Sequence, residues 1–133
     1  MSFRIFTDAT SDLPASYAEE LNITVIPMLF TLDNQEYQYV PGRSDMPIET
    51  FFEKMKGGAA PTTAQINTFT FVETFEPVLA AGEDVLYLGF SSALSGTVQS
   101  AIVAADELMA RYPGRRVAVV DSLCASLGEG LFV

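Results

Sequence analysis

The order of apolar and polar runs along the chain predicts an α/β fold. Three short apolar runs, at residues 3–7, 85–88 and 116–120, are typical of strands that are buried on both faces. Between these runs, apolar residues recur at the three- and four-residue spacing of amphipathic helices. Strands that alternate with helices form parallel sheets, so we expect an open, mainly parallel sheet with helices on both faces.

Four helices are predicted from this spacing and from end signals. Pro14 is expected in the first turn of the first helix, Asn22 to close that helix, and Gly57 with Gly58 to end the second. Pro77 is expected to kink the third helix. The expected N-caps are Ser11 or Asp12, then Ser44 or Asp45, then Asn67. The positions expected to face the core are Tyr17, Ala18 and Leu21, then Ile48, Phe51, Phe52 and Met55, then Phe71, Phe75, Val78 and Leu79, then Val98, Ile102, Ala105 and Met109.

Residues 23–40 have the pattern of a small hairpin at the edge of the sheet. The segment 23–32 is rich in β-formers but contains Pro27, which lacks an N–H group, so we expect an edge or bent strand. Asp33 and Asn34 are typical of a tight turn, and residues 36–40 are expected to form the returning arm.

Length and composition are those of one globular domain that covers residues 1–133. Apolar residues make up 49% of the chain and charged residues 18%, which excludes a disordered chain. No apolar run reaches the roughly 20 residues needed to cross a bilayer, so we expect no stable membrane insertion. The first residues lack the apolar segment of a signal peptide, and the single cysteine, Cys124, suits a reducing compartment; both predict a cytoplasmic protein.

The charged and titratable residues exclude several function classes. A net charge of −10 with only seven basic residues argues against nucleic acid as a partner, because phosphates require clustered Lys and Arg. The chain has no histidine, so it cannot build a Ser-His-Asp triad, a Cys-His pair or a histidine metal site. We therefore expect no metal and no cofactor.

Polar loops follow all three predicted strands. Ligands of open parallel sheets bind outside the carboxyl ends of the strands, so these loops are expected to meet at one crevice. The crevice would be rich in hydroxyl groups, and no basic residue lies between Lys56 and Arg111, which favours a single carboxylate over a phosphate. Each loop residue also has an ordinary explanation as a helix cap. The loop residues are Asp8, Thr10, Ser91, Ser92, Ser95, Gly96, Asp121 and Ser122.

Four segments together resemble the DegV family of bacterial fatty-acid-binding proteins. They are TDATSDLP at residues 7–14, PTTAQ at 61–65, FSSALSGT at 90–97 and VDS at 120–122. The resemblance implies that this chain is the N-terminal lobe of a two-lobe fold. Family members are about twice this length, and the second lobe, which closes the acyl tunnel, is expected to be absent from this chain.

The same resemblance implies a binding protein for a long-chain fatty acid. It places the carboxylate on Thr63 and Ser92, with Thr62 and Ser91 as close alternatives, and leaves the other loop residues in a supporting role. The protein would not be an enzyme: it would present the acid to a separate fatty acid kinase, which forms an acyl phosphate for phospholipid synthesis. We expect the isolated lobe, with half a tunnel open to water, to self-associate.

Two other functions remain open. The strand followed by Asp8 also resembles the nucleophile loop of haloacid-dehalogenase-type phosphatases, although Thr10 stands where an acidic residue usually serves as acid and base. Alternatively, the hydroxyl loops are only helix caps, and the acidic surface of an interaction module meets a basic partner. The sequence does not indicate which acyl chain or which kinase would be involved.

Overall fold

The computed structural model describes residues 2–133, which form seven strands and five helices. The strands are β1 (Phe3–Asp8), β2 (Ile23–Ile26), β3 (Met28–Leu32), β4 (Gln35–Tyr39), β5 (Thr62–Ala64), β6 (Asp84–Gly89) and β7 (Val117–Asp121). The helices are α1 (Ala15–Glu20), α2 (Ile48–Lys56), α3 (Thr68–Ala80), α4 (Thr97–Arg111) and α5 (Leu127–Phe132). A single 3-10 turn, Ala9–Ser11, follows β1. None of the helices in this described part is long and apolar enough to cross a bilayer.

The main sheet has four parallel strands in the order β2-β1-β6-β7. The three strands expected from the apolar runs are adjacent to one another, which confirms the parallel α/β architecture. The fourth strand, β2, pairs with β1 from Ile5–Ile23 to Asp8–Ile26 and lies at the edge of the sheet. Strands β1, β6 and β7 therefore end on the same side, each with its polar loop.

Helices cover both faces of this sheet, as predicted. On one face, α3 and α4 pack over β1 and β6, and Phe71 and Phe75 lie against the ring of Tyr87 with centroids 5.0 and 6.1 Å away. On the other face, Leu13 and Ala18 pack against Ile23. Burial of these large side chains is the main source of stability, at about 1.5–3 kcal/mol for each one that is fully buried.

The predicted edge position is confirmed for β2, whereas the hairpin of β3 and β4 belongs to a second sheet. Pro27 divides the segment into β2 and β3, and β3 becomes the central strand of a second, antiparallel sheet in the order β4-β3-β5. The third strand of this sheet is the Thr62–Ala64 segment, which is not among the strands predicted from the sequence. Its strand conformation comes from pairing with β3, in which Thr63 lies opposite Phe30 and Thr62 opposite Thr31.

Two predicted N-caps are wrong. Helix α1 begins after Pro14, with no side-chain cap from Ser11 or Asp12, and α2 begins after Pro47, with none from Ser44 or Asp45. Both prolines occupy the N-cap position with extended backbone, at ψ 138° and 140°. Pro14 is therefore outside the first turn rather than in it.

Other end signals are confirmed. Asn67 Oδ1 accepts the Thr70 N–H at 2.9 Å and caps α3, and Gly57 is the C-cap of α2. Asn22 follows the end of α1 with φ +54°, and Asp33 and Asn34 both have positive φ in the β3–β4 turn. Helix α3 continues through Pro77 to Ala80, and the kink there stays a prediction.

The predicted core faces of three helices need correction. Helix α2 has no buried residue, and Ile48, Phe52 and Met55 are largely exposed. In α1, Tyr17 and Leu21 are exposed and only Ala18 is buried. In α4 the buried stripe consists of small residues and Leu108, because the helix packs closely on α3 and β7. The predicted core residue Ile102 lies outside this stripe and is exposed. That stripe is Val98, Ala101, Ala104, Ala105 and Leu108.

Candidate functional site

A groove of about 640 Å³ lies at the carboxyl end of the main sheet, where it meets the second sheet. Its walls come from the end of β1, from β5 with the segment that follows it, and from the loop between β6 and α4. The crevice expected from three polar loops is present in part, because the loops after β1 and β6 line it and the loop after β7 does not. Its lining residues are Asp8, Thr10, Met28, Thr63, Ala64, Gln65, Ile66, Phe90, Leu94, Ser95, Gly96 and Thr97.

A second cavity of about 320 Å³ lies next to the groove, between α2 and the second sheet. Its lining is mostly apolar, with Phe30 and Phe51 in edge-to-face contact at 5.3 Å between ring centroids. Thr63 and Met28 line both spaces, so a polar groove and an apolar cavity meet at these two residues. The cavity residues are Asp12, Met28, Phe30, Tyr39, Ser44, Met46, Ile48, Phe51, Pro61 and Thr63.

Neighbouring threonines of β5 occupy different surroundings. Successive side chains of a strand point to opposite faces, so Thr63 lies on the face of its pairing partner Phe30, and Thr62 on the face of Thr31. Thr62 lines neither the groove nor the apolar cavity. Of the two candidate ligands on β5, only Thr63 reaches both.

Most hydroxyl groups of the β6–α4 loop already have structural partners. The Ser91 hydroxyl, almost fully buried, accepts the Ala93 N–H at 3.3 Å. Ser95 Oγ accepts the Thr97 N–H at 3.2 Å, and Thr97 Oγ1 accepts the Ile66 N–H at 3.3 Å. These bonds fix the start of α4 against the segment that follows β5.

Ser92 lies on the side of this loop that faces β7. Its N–H donates to Asp121 Oδ1 at 3.2 Å, and the same oxygen accepts the Leu123 N–H at 3.0 Å. The hydrogen bonds from Ser92 and from Leu123 lower the pKa of Asp121. Ser92 is exposed but is not among the groove residues, so the structure does not bring its side chain into the groove with Thr63.

The other predicted residues of the β7 loop are structural. Ser122 is buried, donates its N–H to the Gly89 carbonyl at 3.1 Å and accepts the Cys124 N–H at 3.1 Å. Asp121 and Ser122 thus connect the ends of β6 and β7. Neither residue lines the groove.

Gly96 lies against the Gln65 side chain at the wall of the groove. A Cβ atom at Gly96 would collide with the side-chain amide of Gln65. The glycine therefore lets the β6–α4 loop pack directly against the segment after β5. Gln65 belongs to the PTTAQ segment, but its packing role is not visible in the sequence.

Asp8 forms the floor of the groove. Its side chain is fully buried, and Oδ2 accepts the Tyr87 hydroxyl at 2.6 Å while Oδ1 accepts the Thr10 N–H at 3.0 Å and the Thr10 hydroxyl. Burial, followed by the charge of Asp8 and the hydrogen bond to it, raises the pKa of Tyr87 well above its ordinary value.

Glu129 is the functional candidate that sequence reasoning missed. It is fully buried on α5, with Oε1 3.2 Å from the Thr7 hydroxyl and Oε2 3.1 Å from the Thr10 hydroxyl. Burial first, and the nearby charge of Asp8 second, raise the pKa of Glu129 to about 8. The only sequence signal is that Glu129 is the single charged residue in an otherwise small or apolar segment, 125–133.

The fold and the crevice at the strand ends define an α/β protein of the open parallel-sheet class. A family model described as "Uncharacterised protein, DegV family" matches residues 2–133. A DegV domain-containing protein of Clostridium perfringens is 42% identical over 131 residues, which cover 98% of this chain and 45% of that protein. The chain belongs to the DegV family, and it spans about half the length of the relatives that it matches.

Solved structures agree with this assignment. A DegV family protein from Thermus thermophilus, described by its fatty acid binding, is 40% identical with a TM-score of 0.82, covering 98% of this chain and 44% of that one. A hypothetical protein from Thermotoga maritima, whose structure is described as revealing a fatty acid binding function, is 32% identical. Its TM-score is 0.76, with 98% of this chain and 46% of that one covered.

Proposed function

We propose that this chain is the N-terminal, carboxylate-binding lobe of a cytoplasmic fatty-acid carrier. One observation carries the proposal: Thr63 lines both the polar groove and the apolar cavity. A long-chain fatty acid needs these two surroundings side by side, because its head group requires hydrogen-bond donors and its chain requires apolar walls.

The head group would be held by uncharged donors. Thr63 is exposed on its strand, whereas the hydroxyls of Ser91, Ser95 and Thr97 already have partners in the loop. We assign Thr63 as the main carboxylate ligand. Ser92 lies outside the groove, so its assignment as the second donor rests on the family resemblance alone. Each hydrogen bond to a charged group contributes about 1.5–3 kcal/mol.

The acyl chain would extend from Thr63 into the cavity beside Phe30 and Phe51. Each methylene group removed from water contributes about 0.8 kcal/mol. The two solved relatives at 40% and 32% identity are described as fatty-acid-binding, which supports the same ligand class for this chain. Since the chain covers less than half of each relative, we propose that a second lobe closes the rest of the site.

We further propose that the chemistry belongs to a partner. The carrier would present the acid to a separate fatty acid kinase, which forms the acyl phosphate. The phosphatase alternative is disfavoured, because the Asp8 carboxylate is fully buried and both of its oxygens accept hydrogen bonds. A nucleophile requires a free oxygen that faces the substrate.

The ligand assignment is tested with the full-length protein. We expect native mass spectrometry to detect a retained long-chain acid, and Thr63→Ala to weaken fatty-acid binding by about ten- to one-hundredfold, as the loss of about 1.5–3 kcal/mol implies. Ser92→Ala should add a further loss. Thr62→Ala is the matched control and should bind like the parent.

Two results would contradict the proposal. If Thr63→Ala combined with Ser92→Ala binds as tightly as the parent, the carboxylate ligands are other groups. If the full-length protein neither retains nor binds a long-chain acid, the interaction-module alternative gains support.

A further inference from the structure

A buried pair of carboxyl groups lies beneath the proposed head-group site. Asp8 and Glu129 are both fully buried, and the Thr10 hydroxyl contacts a carboxylate oxygen of each. None of the ion pairs within residues 2–133 includes either acid. Two buried carboxylates without a cation would repel each other strongly, so the pair is expected to keep one proton.

The hydrogen bonds show which acid holds this proton. A hydroxyl group has one hydrogen to donate, and the Thr7 hydroxyl gives it to the Leu88 carbonyl, 2.9 Å away, because a carbonyl can only accept. The contact of 3.2 Å between Thr7 Oγ1 and Glu129 Oε1 then needs a hydrogen from Glu129. A neutral Glu129 has one hydrogen, so it can donate to only one of its two hydroxyl contacts, and the Thr10 hydroxyl directs its own single hydrogen to Asp8 Oδ1 or to Glu129 Oε2.

The groups around Asp8, in contrast to those around Glu129, are mainly hydrogen-bond donors. It accepts the Tyr87 hydroxyl at 2.6 Å and the N–H groups of Thr10 and Phe90 at 3.0 and 3.5 Å. These groups donate to Asp8, and backbone N–H groups cannot accept from it, so they suit a carboxylate. Glu129 contacts only hydroxyl groups, which accept as readily as they donate.

We propose that Glu129 is a neutral carboxylic acid at pH 7 and that its ionisation in mildly alkaline solution weakens fatty-acid binding in the groove. This inference rests on the proposed function. Thr10 and Asp8 line the groove, and Glu129 contacts the Thr10 hydroxyl directly behind them. A second negative charge in this wall would oppose a bound carboxylate.

The direction of the pH dependence follows from the groups around Glu129. They are Asp8 from β1, Asp12 after the 3-10 turn and Tyr87 from β6. Burial first, and then the charges of Asp8 and Asp12, raise the pKa of Glu129 to about 8, although the hydrogen bonds to Thr10 and Thr7 lower it. Below that pH the acid is neutral, and above it the acid is charged. Binding should therefore weaken as pH rises through about 8.

Two measurements on the full-length protein test this inference. The first is an infrared titration of the protein's carboxyl groups, and the second is palmitate binding at pH 7 and pH 9. Infrared spectra should show a protonated carboxyl group that titrates near pH 8 and is absent from Glu129→Gln. Palmitate binding by the parent should weaken about tenfold from pH 7 to pH 9, the equivalent of one pKa unit. Glu129→Gln, which stays neutral, should show little of this loss.

The other outcomes would overturn the inference or one of its two parts. A carboxyl group that titrates at its ordinary value, or equal pH profiles for parent and Glu129→Gln, would overturn the inference. If no palmitate binds at any pH, the carrier function and the coupling to binding both fail, while the infrared titration still shows whether Glu129 holds the proton. Glu107→Gln, an exposed substitution on α4, is the control for a general charge effect.

Discussion

At the scale of single residues, the site depends on a buried polar cluster as well as on exposed hydroxyl groups. The sequence correctly places Asp8 at a strand end beside the crevice, because a polar residue directly after an apolar run marks that position. It does not reveal Tyr87, whose hydroxyl reaches Asp8 from within an apolar strand. It also does not reveal Glu129, because Glu129 lies 121 positions after Asp8 in the chain.

The Tyr87 hydroxyl gives a direct test of this cluster. Tyr87→Phe removes one donor from the buried Asp8 carboxylate, and we expect the free energy of unfolding to fall by about 1.5–3 kcal/mol in urea titration. Tyr17→Phe, at an exposed position, is the control and should change it by less than about 0.5 kcal/mol. Equal effects of the two substitutions would mean that the Asp8–Tyr87 bond contributes nothing specific.

At the scale of elements, local signals predict some structures and miss those set by distant pairing. The strands of the main sheet follow from apolar runs, and the α3 cap follows from Asn67. Strand β5 is missed because it has only three residues and forms through pairing with β3, about 30 residues earlier. For α2, the apolar spacing predicts a buried face that the structure does not have. Spacing alone does not show whether another element covers that face.

Helix α5 offers a test of element packing with a matched pair of glycines. A Cβ at Gly130 would lie 2.6 Å from the Ser11 carbonyl oxygen, whereas a Cβ at Gly128 would meet Cys124 Cβ at an ordinary 3.6 Å. We expect Gly130→Ala to lower the free energy of unfolding by about 1–3 kcal/mol through overpacking. Gly128→Ala should be neutral or stabilising, because alanine favours a helix by up to about 1 kcal/mol.

Urea titration of both variants measures this difference. If Gly130→Ala is as stable as Gly128→Ala, then α5 is not held tightly against the turn after β1. Glu129 would in that case lack the fixed position that its contacts with Thr7 and Thr10 require.

At the scale of the whole molecule, the two sheets together create the site. The main sheet supplies the strand ends and the hydroxyl loop, and the second sheet supplies Thr63 and the apolar cavity. The sequence predicts the first contribution from three polar loops. The second is not predictable from local patterns, because it requires that β3 and β5 pair across the chain. Self-association of the isolated lobe stays a prediction.

The most direct test of the account is carbon-13 NMR of carboxyl-labelled palmitate bound to the full-length protein. We expect one bound carboxyl resonance that shifts in Thr63→Ala, because the carboxylate loses a hydrogen-bond donor there, and that is unchanged in Thr62→Ala. If the chemical shift of this resonance is unchanged in Thr63→Ala, or changes equally in both variants, the head group is not held at the junction of groove and cavity.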